Sequence, residues 1–321
     1  MNPQINKRGH SNHEVKGEHW NLEDLKAKTE PGTNQYLFRD NIPPYPKPEF
    51  HVRHLKHDTN KNGLHGIRGD EGFRNPGYEG FRNPGKDSLL WWSLVVEPDE
   101  ITAAETRLLE TTYPDRTEEQ AQNQWSFLWK FATSPAFMKT SRMGSYRFTF
   151  PLEEVLDAYR EQFCDGKRPV MRVYSTHLYK QEVMYAVLVH SPAHNRKFRR
   201  YPLLSDDPNG VCTYKDGRFI WRSQAMSETH EYKLVWRPDQ NLMKGRYLYY
   251  RPQYYVWDHV AVALHVEDQV LEFDVGRLRE NLKFCNAGPV TLPGATFEDF
   301  EEAEETVQDL WPYHPSPLEE E

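Results

Sequence analysis

Four stretches of the chain carry residue types that do chemistry. In residues 50–76, FHVRHLKHDTNKNGLHGIRGDEGFRNP, Phe50, Val52 and His54 alternate with polar residues as in a half-buried strand, and His57-Asp58-Thr59 closes that strand. Thr59 or Asn60 is placed to cap a short helix with Leu64 and Ile67 on its apolar face, ended by Gly69 and Gly72. A histidine between strand and helix presents a polar side chain at the mouth of a cleft. Further on, Glu182 opens a strongly apolar strand that runs to His190. His194, Arg196, Lys197, Arg199 and Arg200, interleaved with Phe198 and Tyr201, form the basic cluster; it could contact phosphates and is read as a solvated loop. Asp258, His259 and His265 share a later strand, with the two histidines six apart and so on one face. They could serve a metal or a proton shuttle, but no third ligand stands at suitable spacing and no metal is expected.

The elements that must position these residues follow from periodicity. Leu89 to Val96 is a continuous apolar run of strand length, the pattern of a strand buried on both faces. Glu97-Pro98-Asp99-Glu100 opens a helix with Ile101, Ala104 and Leu108 at helical spacing. A second helix is predicted over 118–137 with Trp125, Leu128, Trp129 and Ala132 on one face, and a third over 152–163. Strands are predicted at 145–150, 170–174, 182–190, 211–214, 218–221, 231–236, 254–265 and 269–273. Lys215-Asp216-Gly217 signals a hairpin, and the last two strands are paired across Glu267-Asp268. The pattern is α+β: a mixed or antiparallel central sheet with flanking helices, then a β-rich segment.

Apolar residues make up 37% of the 321, but 18 Tyr and 9 Trp leave ample material for a core. Residues 1–48 read as a disordered segment ending in the proline-rich linker Ile42-Pro43-Pro44-Tyr45-Pro46-Lys47-Pro48. Residues 49–204 form the α+β domain, 205–285 a β-rich extension or second domain, and 286–321 an acidic tail. The tail holds ten acids and no Lys or Arg, so it accounts for the net charge of −8 and makes nucleic acid an improbable partner. A protein partner is conceivable through the proline run, or through Phe297, Phe300, Leu310, Trp311 and Tyr313 among the acids. The heptapeptide EGFRNPG occurs twice, at 71–77 and 79–85, as a small loop duplication. No apolar stretch is long enough for a membrane span, and neither a secretory signal nor a CxxC pair is present, so a cytoplasmic protein with three reduced cysteines is expected, the nucleus not being excluded.

The order His57-Asp58-Thr59, Gly66-Ile67, Gly72-Phe73-Arg74 and Pro76 resembles the first motif of the ADP-ribosyltransferase superfamily, in its poly(ADP-ribose) polymerase and diphtheria-toxin branch. The resemblance covers about 20 residues by motif matching. It implies NAD as substrate, with His57 holding a ribose and Thr59 as the motif's hydroxyl residue. Asp58 stands where that motif has a glycine whose backbone contacts nicotinamide. Trp91 or Trp92, followed by Ser93, would take the place of the tyrosine that stacks on nicotinamide. Glu182 resembles the catalytic glutamate that opens a late strand and stabilises positive charge developing on the ribose. Arg53, Ser175-Thr176 and Glu182 can also be read as the arginine-serine-glutamate version of the family. An NAD-using transferase is the activity the resemblance implies. The alternatives are a catalytically silent member of that fold acting in protein interaction, and an unrelated ligand-binding α+β protein.

Overall fold

The computed structural model of the chain describes residues 2–5, 11–32, 34–75, 88–227, 230–240, 242–247, 254–314 and 316–321. The second EGFRNPG copy lies outside them. The α+β class expected from the pattern is what the chain adopts. Its centre is Tyr254–His265, which pairs parallel with Glu182–His190 on one side and antiparallel with Leu89–Val95 on the other. Beyond Leu89–Val95 come His54–Thr59, Tyr146–Pro151, Leu282–Phe284 and Glu319–Glu320; beyond Glu182–His190 come Val170–Tyr179, Ser11–Lys16 and Asn2–Ile5. Ala225–Ser227 also pairs with the central strand, giving an 11-stranded mixed sheet. The β-rich segment thus supplies the middle of the sheet.

Because side chains alternate along a strand, register sorts every residue to one of two faces. Lys56 pairs with Ser93, Ser93 with Ala261 and Ala261 with Ala186, so these four share a face. Their neighbours Leu55, Trp92, Val262 and Val187 point the other way, into the main core. The first face carries a smaller apolar patch of Leu89, Tyr174, Ala186, Leu188, Phe198, Tyr201 and Ala263. The same face also carries Lys56, Ser93, Glu182 and His259.

Several sequence expectations are corrected. Leu89–Val95 is buried on both faces at its ends, but in the middle Trp91 is 37% exposed and Ser93 half-buried, so two-sided burial does not hold over the whole run. The helix predicted over 118–137 stops at Gln122. The buried Glu105 carboxylate accepts the Phe127 and Leu128 amides, both at 2.7 Å, and pins an irregular turn that leaves Trp125 and Trp129 in solvent. Val270–Glu272 pairs with Gly72–Arg74 and not with the central strand. The hairpin at Lys215-Asp216-Gly217 forms as expected, with Asp216 and Gly217 both left-handed, as a tight two-residue turn requires.

The two terminal segments do not lie outside the core. Trp20, Leu25 and Leu37 are buried in it, and Tyr45 of the proline run donates its hydroxyl to the Phe131 carbonyl at 3.1 Å. In the acidic segment, Phe300–Leu310 is a helix whose Ala303 and Val307, with Trp311 beyond it, are buried in the same core. Its acids occupy the opposite side. No helix among the described residues is long and apolar enough to cross a membrane.

Candidate functional site

His54–Thr59 restarts the backbone after a break at Arg53, and this fixes which way His57 points. Counting from buried Leu55, His57 and Thr59 fall on the core face. The His57 ring meets Phe73 edge-on at 5.2 Å and Trp92 at 5.5 Å between centroids. Its Nδ1 lies 2.9 Å from the Trp91 carbonyl oxygen. Since a carbonyl only accepts, Nδ1 carries the proton and Nε2 keeps a lone pair. Burial pushes the pKa of His57 below the usual imidazole value, outweighing both that bond and the neighbouring Asp58. Beside it the Trp92 indole N–H is buried without a partner among the described residues.

Thr59 is also on this face, but it lies under the first turn of the Lys61–Asp70 helix. A Cβ on Gly63 would stand 1.9 Å from its hydroxyl oxygen, so the close approach needs glycine. That helix is capped by Asn60, whose side chain accepts the Gly63 amide at 3.1 Å.

Glu182 faces the other way. It is four residues from Ala186 and therefore on the Lys56 face, whereas His57 is next to Lys56 and opposite. The two residues are three strands apart and displaced by five residues along the strands, roughly 20 Å at ordinary sheet spacings. The expected convergence of His57 and Glu182 on one ligand does not occur. Trp91 and Ser93 share Glu182's face but stand two strands away. Arg53 is exposed and lines a separate cavity of about 270 Å³ with His51, His54, Glu97 and Arg107. The seven residues singled out for one cleft are thus divided between two faces of the sheet and an outer cavity.

Around Glu182 the fold assembles partners that spacing did not reveal. Arg142 holds its carboxylate with two bonds of 2.9 Å, and His259 Nε2 stands 2.8 Å from Oε1. The Arg142 guanidinium also lies 5.5 Å from the Trp257 ring centroid. Burial alone would raise the pKa of Glu182, but His259 and Arg142 outweigh it and bring it down to about 2. A carboxylate so tightly held stays ionised and is a poor general acid or base. Linkage gives the sign: this contribution to stability is complete above the ordinary value of 4.5 and is lost as the pH falls through about 2. Glu182→Gln is expected to cost roughly 3 kcal/mol in urea denaturation at pH 7, and much less near pH 2. An equal cost at both pH values would show that the ion pair is not the source.

Asp58, too, has a partner. Arg147 donates Nε and Nη2 to its two oxygens at 2.7 and 3.0 Å, and its remaining hydrogens go to the carbonyls of Met138, Lys139 and Thr140. Lys56, beside them, donates to the Pro135 carbonyl at 2.6 Å. Burial and the Arg147 charge lower its pKa to about 8. The cluster ties the strand of the His57 motif to the 138–141 segment. Comparison of the chain with protein-family models, with curated proteins and with solved structures finds no match in any of the three.

Proposed function

We propose that this protein binds a nucleotide of the NAD type through His57 and Trp92 and does so without a catalytic carboxylate from Glu182, the silent counterpart of the transferase that its first motif resembles. One observation carries the reading: His57 and Trp92 share the core face while Glu182 lies on the opposite one. The His57 Nε2 lone pair and the unpartnered Trp92 N–H are an acceptor and a donor whose rings are adjacent. A ribose diol offers the complementary pair of groups. A buried donor without an acceptor is costly, which favours a ligand or water that completes it.

Calorimetry with NAD, ADP-ribose and nicotinamide tests this. NAD and ADP-ribose are expected to bind and nicotinamide alone to bind poorly. His57→Ala should weaken NAD by about 1–3 kcal/mol, the cost of removing one partner of a buried polar contact. Glu182→Gln, measured where the variant remains folded, should leave affinity unchanged, and no nicotinamide should be released from NAD. Turnover that Glu182→Gln abolishes would restore the enzymatic reading. No binding of NAD at millimolar concentration would end the nucleotide reading altogether.

A further inference from the structure

The parallel pairing of Glu182–His190 with Tyr254–His265 sends both strands out of the sheet at the same edge, with Val189 in register with Leu264. The segments that follow them therefore meet, at the carboxyl ends of two parallel strands. From the first segment comes His194, at the end of the Pro192–His194 turn that Ser191 caps. From the second come His265, the last residue of its strand, and Glu267 in the turn after it. That turn is tied down: Glu267 and Asp268 are both left-handed, Asp268 accepts the Ser88 hydroxyl at 2.6 Å, and the Val266 amide donates to the Ser88 carbonyl.

The three side chains converge. Their ligand atoms lie within 4.8 Å of one another, and the two imidazole centroids are 4.8 Å apart. His194 Nε2 is 2.6 Å from Glu267 Oε1, and the other ring nitrogen, Nδ1, is buried without a partner among the described residues. His265 is almost fully buried, with Phe198 edge-on to it at 4.9 Å. The Lys197 ammonium stands 2.9 Å from His265 Nε2. An ammonium has hydrogens to give and no lone pair, so Nε2 is the accepting, unprotonated nitrogen. This is the form in which imidazole binds a metal, and the lone pair is directed at a position already held by a cation.

We propose that His194, His265 and Glu267 form a site for a divalent transition-metal ion, with Lys197 as a built-in competitor for the same position. Two imidazoles and one carboxylate suit zinc or cobalt, and three protein ligands leave a fourth position open to water or a ligand atom. Zinc bonds of about 2.0–2.2 Å require the ligand atoms to close to about 3.3 Å from one another. Side-chain rotation suffices for that, because Lys197 lies on the surface and its stem can carry the ammonium into solvent.

The full chain, freed of metal by chelator and dialysis, is titrated with Co2+ followed by visible absorption and with Zn2+ followed by calorimetry. The expected result is one equivalent bound, with the intense visible bands of four-coordinate cobalt. His194→Ala and Glu267→Gln should each weaken binding by at least about tenfold. Lys197→Ala, a change at an exposed side chain that vacates the position beside His265 Nε2, should tighten it by about tenfold. His265→Ala, whose site is buried, is read only if its circular dichroism matches that of the wild type. The proposal is overturned by the absence of saturable binding at millimolar Co2+, or by binding that persists unchanged in His194→Ala. Unchanged affinity in Lys197→Ala would equally overturn it, since the ion would then not occupy the ammonium's position.

Discussion

Asp58→Gly is expected to destabilise the folded protein by about 3–5 kcal/mol, the usual cost of removing one partner from a buried ion pair. The substitution restores the glycine that the resembled motif carries at this position, so on the sequence alone it reads as a repair. The structure makes it a lesion. Arg147 is 1% exposed, and Asp58 is the anion that accepts its Nε and Nη2 hydrogens. Without Asp58 the guanidinium keeps the carbonyls of Met138, Lys139 and Thr140, and among the described residues only Glu321 at 3.9 Å remains as an anionic partner. Lys56 worsens the imbalance, because two cations would then share a buried site with a single distant acid. Burial alone would raise the pKa of Asp58, but Arg147 outweighs it and lowers it. The ion pair's contribution is therefore present above the ordinary carboxylate range and lost in acid. Urea denaturation at pH 7 measures the loss, and Asp58→Asn, which keeps the shape and one acceptor, should lose less. Replacing Asp58 and Arg147 together by apolar residues should recover much of the cost, as double-mutant cycles resolve for coupled groups. A loss below about 1 kcal/mol in Asp58→Gly would mean that water reaches Arg147.

What the sequence made legible was local. The Asn60 cap, the Leu64 and Ile67 face, the 152–163 helix and the 215–217 hairpin all depend on residues within one turn of each other, and all form. The side of the sheet that His57 faces was also within reach, since Leu55, His57 and Thr59 alternate; taking Phe50 to Thr59 as one strand hid the break at Arg53 that resets the phase. Arg142 gave no signal, because it lies in an irregular turn without periodicity and meets Glu182 only through tertiary packing. The same holds for the pairing of Glu182–His190 with Tyr254–His265. Both strands are apolar, but nothing local says that they are parallel neighbours, and only that pairing brings His194 to His265 and Glu267. On the acidic segment, charge drew attention from a pattern that was present: Ala303, Val307 and Trp311 recur every four residues, the spacing of a buried helical stripe.

That stripe underlies the largest effect expected here: deletion of residues 300–321 should abolish cooperative unfolding. Val307, Trp311 and Leu318 are each buried, and fully burying such side chains contributes about 1.5–3 kcal/mol apiece. The segment also ties itself down with polar contacts. The Trp311 indole donates to the Val275 carbonyl at 3.0 Å, and Arg68 Nε donates to the Leu310 carbonyl at 3.0 Å. Tyr146 gives its hydroxyl to Glu298, just before the helix, at 2.6 Å. Removing the segment exposes the apolar surface of Leu282–Phe284 and of the Lys61–Asp70 helix, and takes from Arg68 both the Leu310 carbonyl and the Trp311 ring. Losses of this size match the whole stability of an ordinary domain, about 5–15 kcal/mol. Trp311→Ala isolates the main anchor and should by itself cost about 3–5 kcal/mol. Replacing the outward acids Glu301, Glu305 and Asp309 by Gln or Asn should change stability little, because exposed charges contribute little. Thermal denaturation of the three proteins decides the matter. A truncated chain that melts cooperatively within a few degrees of the full one would make the segment a dispensable tail; loss of the transition, with the amide variant unaffected, makes it part of the core and assigns its acids to the solvent side alone.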